Sequence, residues 1–258
     1  MNSSCKSLAA TVALLVSGLV FANDNITIAT DATFPPFESV DASGKLVGYD
    51  IELAEAVCKE AKLNCNIIGA AWEGMIPSLL SKKYDALISQ LTVTSARRKI
   101  MAFSDVYSLP VFRFVARKGS NLVITPEGLK GKVIAVQTGT PMDAYITRYF
   151  PGSTIKRYSG GSEPYLELAA GRADVHFSYE AQVLHSFLRK DGGKDFELVG
   201  PRMTGKDAPE FGEGVAIAIN KSNTALLQRI NEGLRAVRDS GQLDALDAKY
   251  FGVSSDAQ

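Results

Sequence analysis

Asp85-Ala-Leu-Ile-Ser-Gln-Leu-Thr-Val-Thr-Ser-Ala-Arg97-Arg98 holds a strand, a polar turn and a helix start in one short run. Ala86 to Ser89 is apolar and bounded by polar residues, as a short buried strand should be. The chain then runs out into hydroxyls and amides. Thr94 or Ser95 is a natural helix cap, because its oxygen can accept a free amide of the first turn. Exposed N–H groups at a helix start favour negative charge, and a nearby guanidinium adds a planar fork that suits a carboxylate. Taken alone, the stretch reads equally well as a solvated turn with surface arginines.

Its neighbours decide between the two. Upstream, Asn25 to Asp31 alternates as a strand and ends in a carboxylate. The loop Ala32-Thr-Phe34-Pro35-Pro36-Phe37-Glu38 follows, with two aromatics on a backbone stiffened by two prolines. Such aromatics are either walls of a binding site or packing onto the body. Asp50 is expected to cap a helix to about Leu63, Asn66 to Gly69 to form a strand, and Trp72 to stand just ahead of another helix. With strand 85–89 and an extended run from Val111, the order is β-α-β-α-β-α-β, a sheet with helices on its faces.

The same grammar then restarts. Gly131 to Gln137 is a strand, and Thr140, Pro141 and Asp143 stand at the cap, first and third positions of a helix. Strands at Thr154–Tyr158, Ala173–Phe177, Phe196–Val199 and Gly214–Ile219 alternate with helices, and two helices close the chain. Ligands in open α/β sheets sit beyond the carboxyl ends of strands. Asp31, Ser89 to Arg97, Gln137 to Thr140 and Tyr179 all lie at such ends, so two βα lobes with a cleft between them become the expectation.

Composition narrows the function class. Lys and Arg together number 28 and so do Asp and Glu, which argues against a general nucleic-acid or anionic-membrane binder. Lys6, the apolar run Leu8 to Phe21 and Val20-Phe-Ala22 read as a secretory signal peptide over residues 1–22, so the mature protein is expected to be exported and unanchored. Cys58 and Cys65, an isolated close pair in an exported chain, are expected to form a disulfide. Closing so short a loop should add about 2–3 kcal/mol. Neither His176 nor His185 stands at metal-ligand spacing from the cysteines, so no metal and no cofactor is expected.

A set of spaced motifs in order resembles one family. They are Thr30-Asp-Ala-Thr-Phe-Pro-Pro-Phe-Glu38, Leu46-Val-Gly-Tyr-Asp-Ile-Glu-Leu-Ala54, Ile76-Pro-Ser-Leu79, Tyr84-Asp-Ala-Leu-Ile-Ser89, Thr92-Val-Thr-Ser-Ala-Arg97, Phe103-Ser-Asp105, Ala170-Gly-Arg-Ala-Asp174 and Lys249-Tyr-Phe-Gly252. Over essentially the whole mature chain they resemble the periplasmic solute-binding proteins of the polar amino-acid group, the receptors of ATP-driven importers. The cysteine pair matches the branch that binds lysine, arginine, ornithine and histidine.

The resemblance implies a two-lobed α/β fold of the type II periplasmic-binding-protein class, each lobe a mixed sheet flanked by helices. Lobe 1 would comprise 25–110 and 213–252, and lobe 2 would comprise 113–209. Two hinge strands near 110–112 and 210–213 would let the lobes close on the ligand. It also implies roles. Arg97 would hold a ligand carboxylate, with Thr92 completing the seat and Ser89 and Gln90 offering polar contacts. Phe34 and Trp72 would sandwich the ligand's side chain, Asp31 would meet a distal cation, and Gln137 and Thr140 would close over it from lobe 2. Arg98 has no counterpart in the seat and is expected to be solvated. The expected partners are an amino acid or amino-acid conjugate and an inner-membrane permease, with the receptor itself a monomer.

One position departs from the family. Amino-acid receptors carry an aspartate for the α-ammonium where this chain has Tyr179, which is neutral at pH 7. Glu180 follows, but as a helical neighbour it should point elsewhere. Trp72-x-Gly74 before Ile76-Pro77, Gln137 in Val-Gln-x-Gly-Thr, and Gly200-Pro-Arg-Met-Thr-Gly205 resemble the branch that binds opines, whose secondary amine relaxes the need for that aspartate. The alternative from another class is a cyclohexadienyl dehydratase-like enzyme, for which Glu163 or Glu180 would have to donate a proton. No nucleophile with an adjacent base is visible in the sequence.

Overall fold

The computed structural model describes residues 25–252, so the expected signal peptide lies outside the described residues. The described residues begin with β1 (Asn25–Thr30) and three very short strands, β2 (Thr33–Phe34), β3 (Glu38–Val40) and β4 (Leu46–Val47). Then come α1 (Tyr49–Glu60), β5 (Asn64–Gly69), α2 (Trp72–Leu80), β6 (Ala86–Leu87), α3 (Ser95–Arg98) and β7 (Ala102–Phe103). A second series holds β8 (Phe112–Arg117), β9 (Val133–Gln137), α4 (Pro141–Tyr149), β10 (Thr154–Tyr158), α5 (Glu163–Ala169), β11 (Val175–Tyr179), α6 (Glu180–Val183) and β12 (Phe196–Met203). The chain returns through β13 (Ala218–Ile219) to α7 (Thr224–Asp239) and α8 (Gln242–Phe251).

These elements make two lobes, each on a five-stranded mixed sheet. The first has the order β5-β1-β6-β13-β7 and the second β10-β9-β11-β8-β12. In the first, β1 runs parallel to β5 and β6, while β13 is antiparallel to both its neighbours. In the second, β9 is parallel to β10 and β11, and β8 is antiparallel to β11 and β12. A small antiparallel sheet, β2-β3-β4, leans on the first lobe.

The period-two alternation sets what each strand buries. Ile28, Ala86, Ile88, Ile217 and Ile219 share one core with Leu53 and Val57 of α1 and Ile230 and Leu234 of α7. Their neighbours Ala29, Leu87 and Ala218 face the other way, onto Met75 and Leu79 of α2. In the second sheet Phe114, Ile134, Val136 and Phe177 enter the main core, while Val115 and Ala135 pack on Tyr165 and Leu168 of α5. Both sheets are therefore covered on both faces, as helix-flanked sheets must be. The chain passes between the lobes twice, after β7 and before β13. At these passages Phe112 stacks on Phe211 with ring centroids 4.0 Å apart.

Local details confirm some sequence signals and correct others. Thr94 caps α3, its Oγ1 accepting from the amide of Arg97. Thr140 caps α4, accepting from the amide of Asp143, whose carboxylate accepts in turn from the amide of Gly139. Asp50 is not the cap of α1. That place belongs to Gly48 at φ 133°, where an added Cβ would lie 2.2 Å from the carbonyl oxygen of Phe37. Only glycine allows that approach, and Asp50, two residues further on, points its carboxylate inward. Trp72 opens α2 rather than preceding it, and the helix after Glu180 changes to a π-helical turn at Leu184–Leu188.

Cys58 and Cys65 are disulfide-bonded and join α1 to β5, with Cα atoms 6.2 Å apart. Reducing the bond without denaturant should lower unfolding stability by about 2–3 kcal/mol, because a short loop of the unfolded chain is no longer closed. Identical denaturation midpoints with and without reductant would contradict this.

Candidate functional site

Strand ends from both lobes converge on one small cavity of about 20 Å³. From the first lobe come Asp31 after β1, Phe34 on β2, Glu38 on β3, Trp72 on α2, and Ser89 and Gln90 after β6. From the second come Gln137 at the end of β9, Thr140 to Met142 at the start of α4, and Tyr179 at the end of β11. Eight of the ten residues expected at the site thus line one space: Asp31, Phe34, Trp72, Ser89, Gln90, Gln137, Thr140 and Tyr179. Glu38, Pro141 and Met142 were not foreseen. Glu38 stands at the edge of the Thr30–Glu38 motif, and Pro141 and Met142 simply follow the Thr140 cap.

Thr92 and Arg97 stand directly behind the cavity wall. The hydroxyls of Thr92 and Tyr179 are 2.6 Å apart, and that of Tyr179 is 3.3 Å from the carbonyl oxygen of Gln90. Arg97 is only 8% exposed. Its guanidinium donates to the carbonyls of Thr92 at 3.0 Å and Gly139 at 3.2 Å, and lies over the Trp72 ring at 5.7 Å. Among the described residues no carboxylate pairs with it. Burial pushes its pKa down to about 10, so it remains a cation at neutral pH. Such a buried cation, held only by carbonyls and an aromatic face, can still gain from a carboxylate.

The cavity also has an acidic side. Asp31 is buried and accepts from Gln137 Nε2 and Thr33 Oγ1, each at 2.9 Å. Desolvation raises its pKa. Ser89 Oγ accepts from the amide of Asp31 at 2.9 Å and donates to Glu38 at 2.8 Å. Asp50, fully buried behind this row, accepts from the amide and side chain of Gln90 at 2.7 and 2.9 Å. That grip explains how Gln90 keeps a φ of 46°, which L residues seldom adopt.

The lobes meet through hydrogen bonds at the site, the Tyr179–Gln90 pair given above among them. Besides the Tyr179–Thr92 and Arg97–Gly139 pairs, Gln137 reaches Asp31, and Trp72 Nε1 donates to the carbonyl of Thr138 at 2.8 Å. Three more contacts lie outside the cavity. The amide of Gly161 donates to Thr33 Oγ1, Ser162 Oγ to the carbonyl of Thr33, and Ser186 Oγ to the carbonyl of Pro35.

Residues doubted from sequence also have definite places. Glu180 turns away, pairing with Arg113 at 3.4 Å and Arg202 at 3.5 Å. Arg98 is not merely solvated; it pairs with Glu213 at 2.5 Å, although both side chains are about half exposed. Glu163 accepts from the amide of Gly160 and does not line the cavity. His176 is buried, bonded to the carbonyl of Ala135, and desolvation pushes its pKa down to about 4, so it is neutral. Among the described residues no cluster of His, Cys, Asp or Glu is arranged to hold a metal ion.

Two mixed-sheet lobes closed over a buried, charged cavity at their strand ends define a two-lobed solute receptor. The chain belongs to the bacterial extracellular solute-binding proteins, family 3, whose model matches residues 26–253. It is 34% identical to the lysine/arginine/ornithine-binding periplasmic protein of Escherichia coli (strain K12), covering 97% of each chain. It is 36% identical to the histidine-binding periplasmic protein of the same strain, over 88% of this chain and 87% of that one. Among solved structures, an ancestral arginine-binding protein bound to arginine superposes with a TM-score of 0.81 at 32% identity, over 89% of this chain and 99% of that one.

Proposed function

We propose that this receptor captures a cationic amino acid, or an opine-like N-substituted conjugate of one, in the periplasm and hands it to an inner-membrane permease of an ATP-driven importer. It would work as a monomer whose lobes hinge near 110–112 and 210–213. The observation that carries this reading is the buried Arg97, with carbonyl acceptors only, beside a cavity that Asp31 and Glu38 make acidic. On capture, the guanidinium exchanges a neutral carbonyl for the ligand's carboxylate, a stronger charge-assisted acceptor. Asp31 receives the distal cation, and Phe34 and Trp72 flank the side chain between. Because the ligand touches both lobes, it favours the closed arrangement. A receptor rather than a dehydratase is supported by Glu163 and Glu180 lying outside the cavity, and by relatives that carry binding-protein names.

The form of the ligand's α-nitrogen turns on Tyr179. Both carboxylates that line the cavity belong to the first lobe, and Glu180 is engaged with two arginines. A free α-ammonium would therefore meet a phenol where a carboxylate would pair with it, at a cost of a few kcal/mol in a closed site. An N-substituted amine brings polar groups that Tyr179 and Gln137 can serve. Calorimetry should show N-substituted derivatives of arginine, lysine or ornithine binding more tightly than the parent amino acids, and Tyr179→Asp should restore preference for the parent. Nanomolar binding of a plain amino acid, with no gain from N-substitution, would remove the conjugate from this reading.

A further inference from the structure

Glu38 is fully buried, lines the cavity, and is absent from the sequence-derived site. Its Oε1 accepts from Ser89 Oγ at 2.8 Å, but no donor among the described residues reaches Oε2. The carboxyl of Asp50 is a close neighbour: the Asp50 amide donates to the carbonyl of Phe37 at 2.9 Å, and its side chain holds Gln90, next to the Ser89 that bonds Glu38. Two buried carboxyl groups side by side with no cation between them do not both ionise, so one keeps its proton. The distribution of donors says where the negative charge stays. Asp50 accepts from Gln90 N, Gln90 Nε2 and the hydroxyl of Tyr107, which is 3.0 Å from each of its oxygens. Glu38 has the single Ser89 hydroxyl. Asp50 is therefore the ionised member and Glu38 the protonated one.

The surroundings favour keeping that proton until a positive charge arrives. Asp31, at the end of β1, faces Glu38 with like charge. Asp50 and Tyr49 come from α1, Tyr107 from the passage after β7, and Tyr179 from the second lobe. No lysine or arginine among the described residues pairs with Asp31, Glu38 or Asp50. Burial raises the pKa of Glu38 well above the usual carboxyl range and brings Asp50 to about 6, in both cases chiefly by desolvation.

We infer that Glu38 is a specificity-determining residue that exchanges a proton for the ligand's cation. When a guanidinium or ammonium enters beside Asp31, the proton held by Glu38 leaves to solvent. The net charge of the buried cluster is then the same before and after, one positive charge having replaced another. Ser89 and Gln90, which join this pair to the cavity, keep their bonds throughout. The inference rests on the cationic-ligand reading above and deepens it.

The test is calorimetry on the full chain with L-arginine, L-lysine, L-ornithine and L-histidine, in buffers of different ionisation enthalpy. For arginine at pH 7 the observed heat should vary with buffer as expected for release of about one proton per ligand. Apparent affinity should rise by close to tenfold for each unit that the pH is raised towards neutrality. Glu38→Gln should bring the proton count for arginine close to zero. Asp50→Asn should do the same, which covers the case in which one variant fails to fold. A wild-type count of zero overturns the exchange, as does an undiminished count in Glu38→Gln. Where only an N-substituted derivative of these amino acids binds, the proton count is read with it; if neither the four amino acids nor their N-substituted derivatives bind, the cationic-ligand reading falls and takes this inference with it.

Discussion

Arg97→Ala should weaken capture of a carboxylate ligand by on the order of 2–5 kcal/mol, or roughly 30- to 4,000-fold in Kd. The size of the effect follows from burial. Arg97 is 8% exposed and donates across the cleft to Gly139 while lying over Trp72. Removing it leaves a ligand carboxylate among desolvated groups with no opposite charge, and breaks one tie between the lobes. Arg97→Lys should recover only part of the loss, since an ammonium keeps the charge but not the planar fork. A titration with unchanged affinity in Arg97→Ala would remove this residue from the carboxylate seat.

Phe112→Ala should lower unfolding stability by about 3–5 kcal/mol, the range for truncating a buried aromatic. Phe112 has no exposed surface, stacks on Phe211 at 4.0 Å, and meets Tyr179 edge-on at 5.1 Å. The same ring therefore supports both chain passages and the tyrosine of the cavity wall. Denaturant midpoints of wild type and variant give the measurement. A loss below about 1 kcal/mol would mean that the passages are not held by this stack.

Much of this was legible in the sequence because the signals were local. Thr94 and Thr140 each stood at a cap position with a polar turn before it, and the structure uses both. The strands alternated clearly enough to predict two sheets, and the polar residues at their ends marked where the cavity lies. What escaped were pairings across long separations. Asp50 looked like a helix cap because it precedes an apolar run, yet its partners are Gln90 and Tyr107, 40 and 57 residues away. Nothing local announces such partners. β2, β3 and β4 are two or three residues long, too short for a period to register. The strand expected from Gly214 is regular only at Ala218–Ile219, because Val215 bridges to Thr92 and Ser108 instead. Glu38 closes a sequence motif, but its burial and missing donor appear only in three dimensions.

The contacts outside the cavity separate two design problems that a receptor could have merged. Thr33, Pro35, Gly161, Ser162 and Ser186 latch one lobe to the other, and none of them lines the cavity. Two of these bonds end on main-chain carbonyls, which do not change when a side chain mutates. Apart from Asp31, which holds the Thr33 hydroxyl, residues around the ligand can thus drift under selection for a new solute while the latch stays as it is. A lineage on this scaffold could change its diet without relearning how to shut.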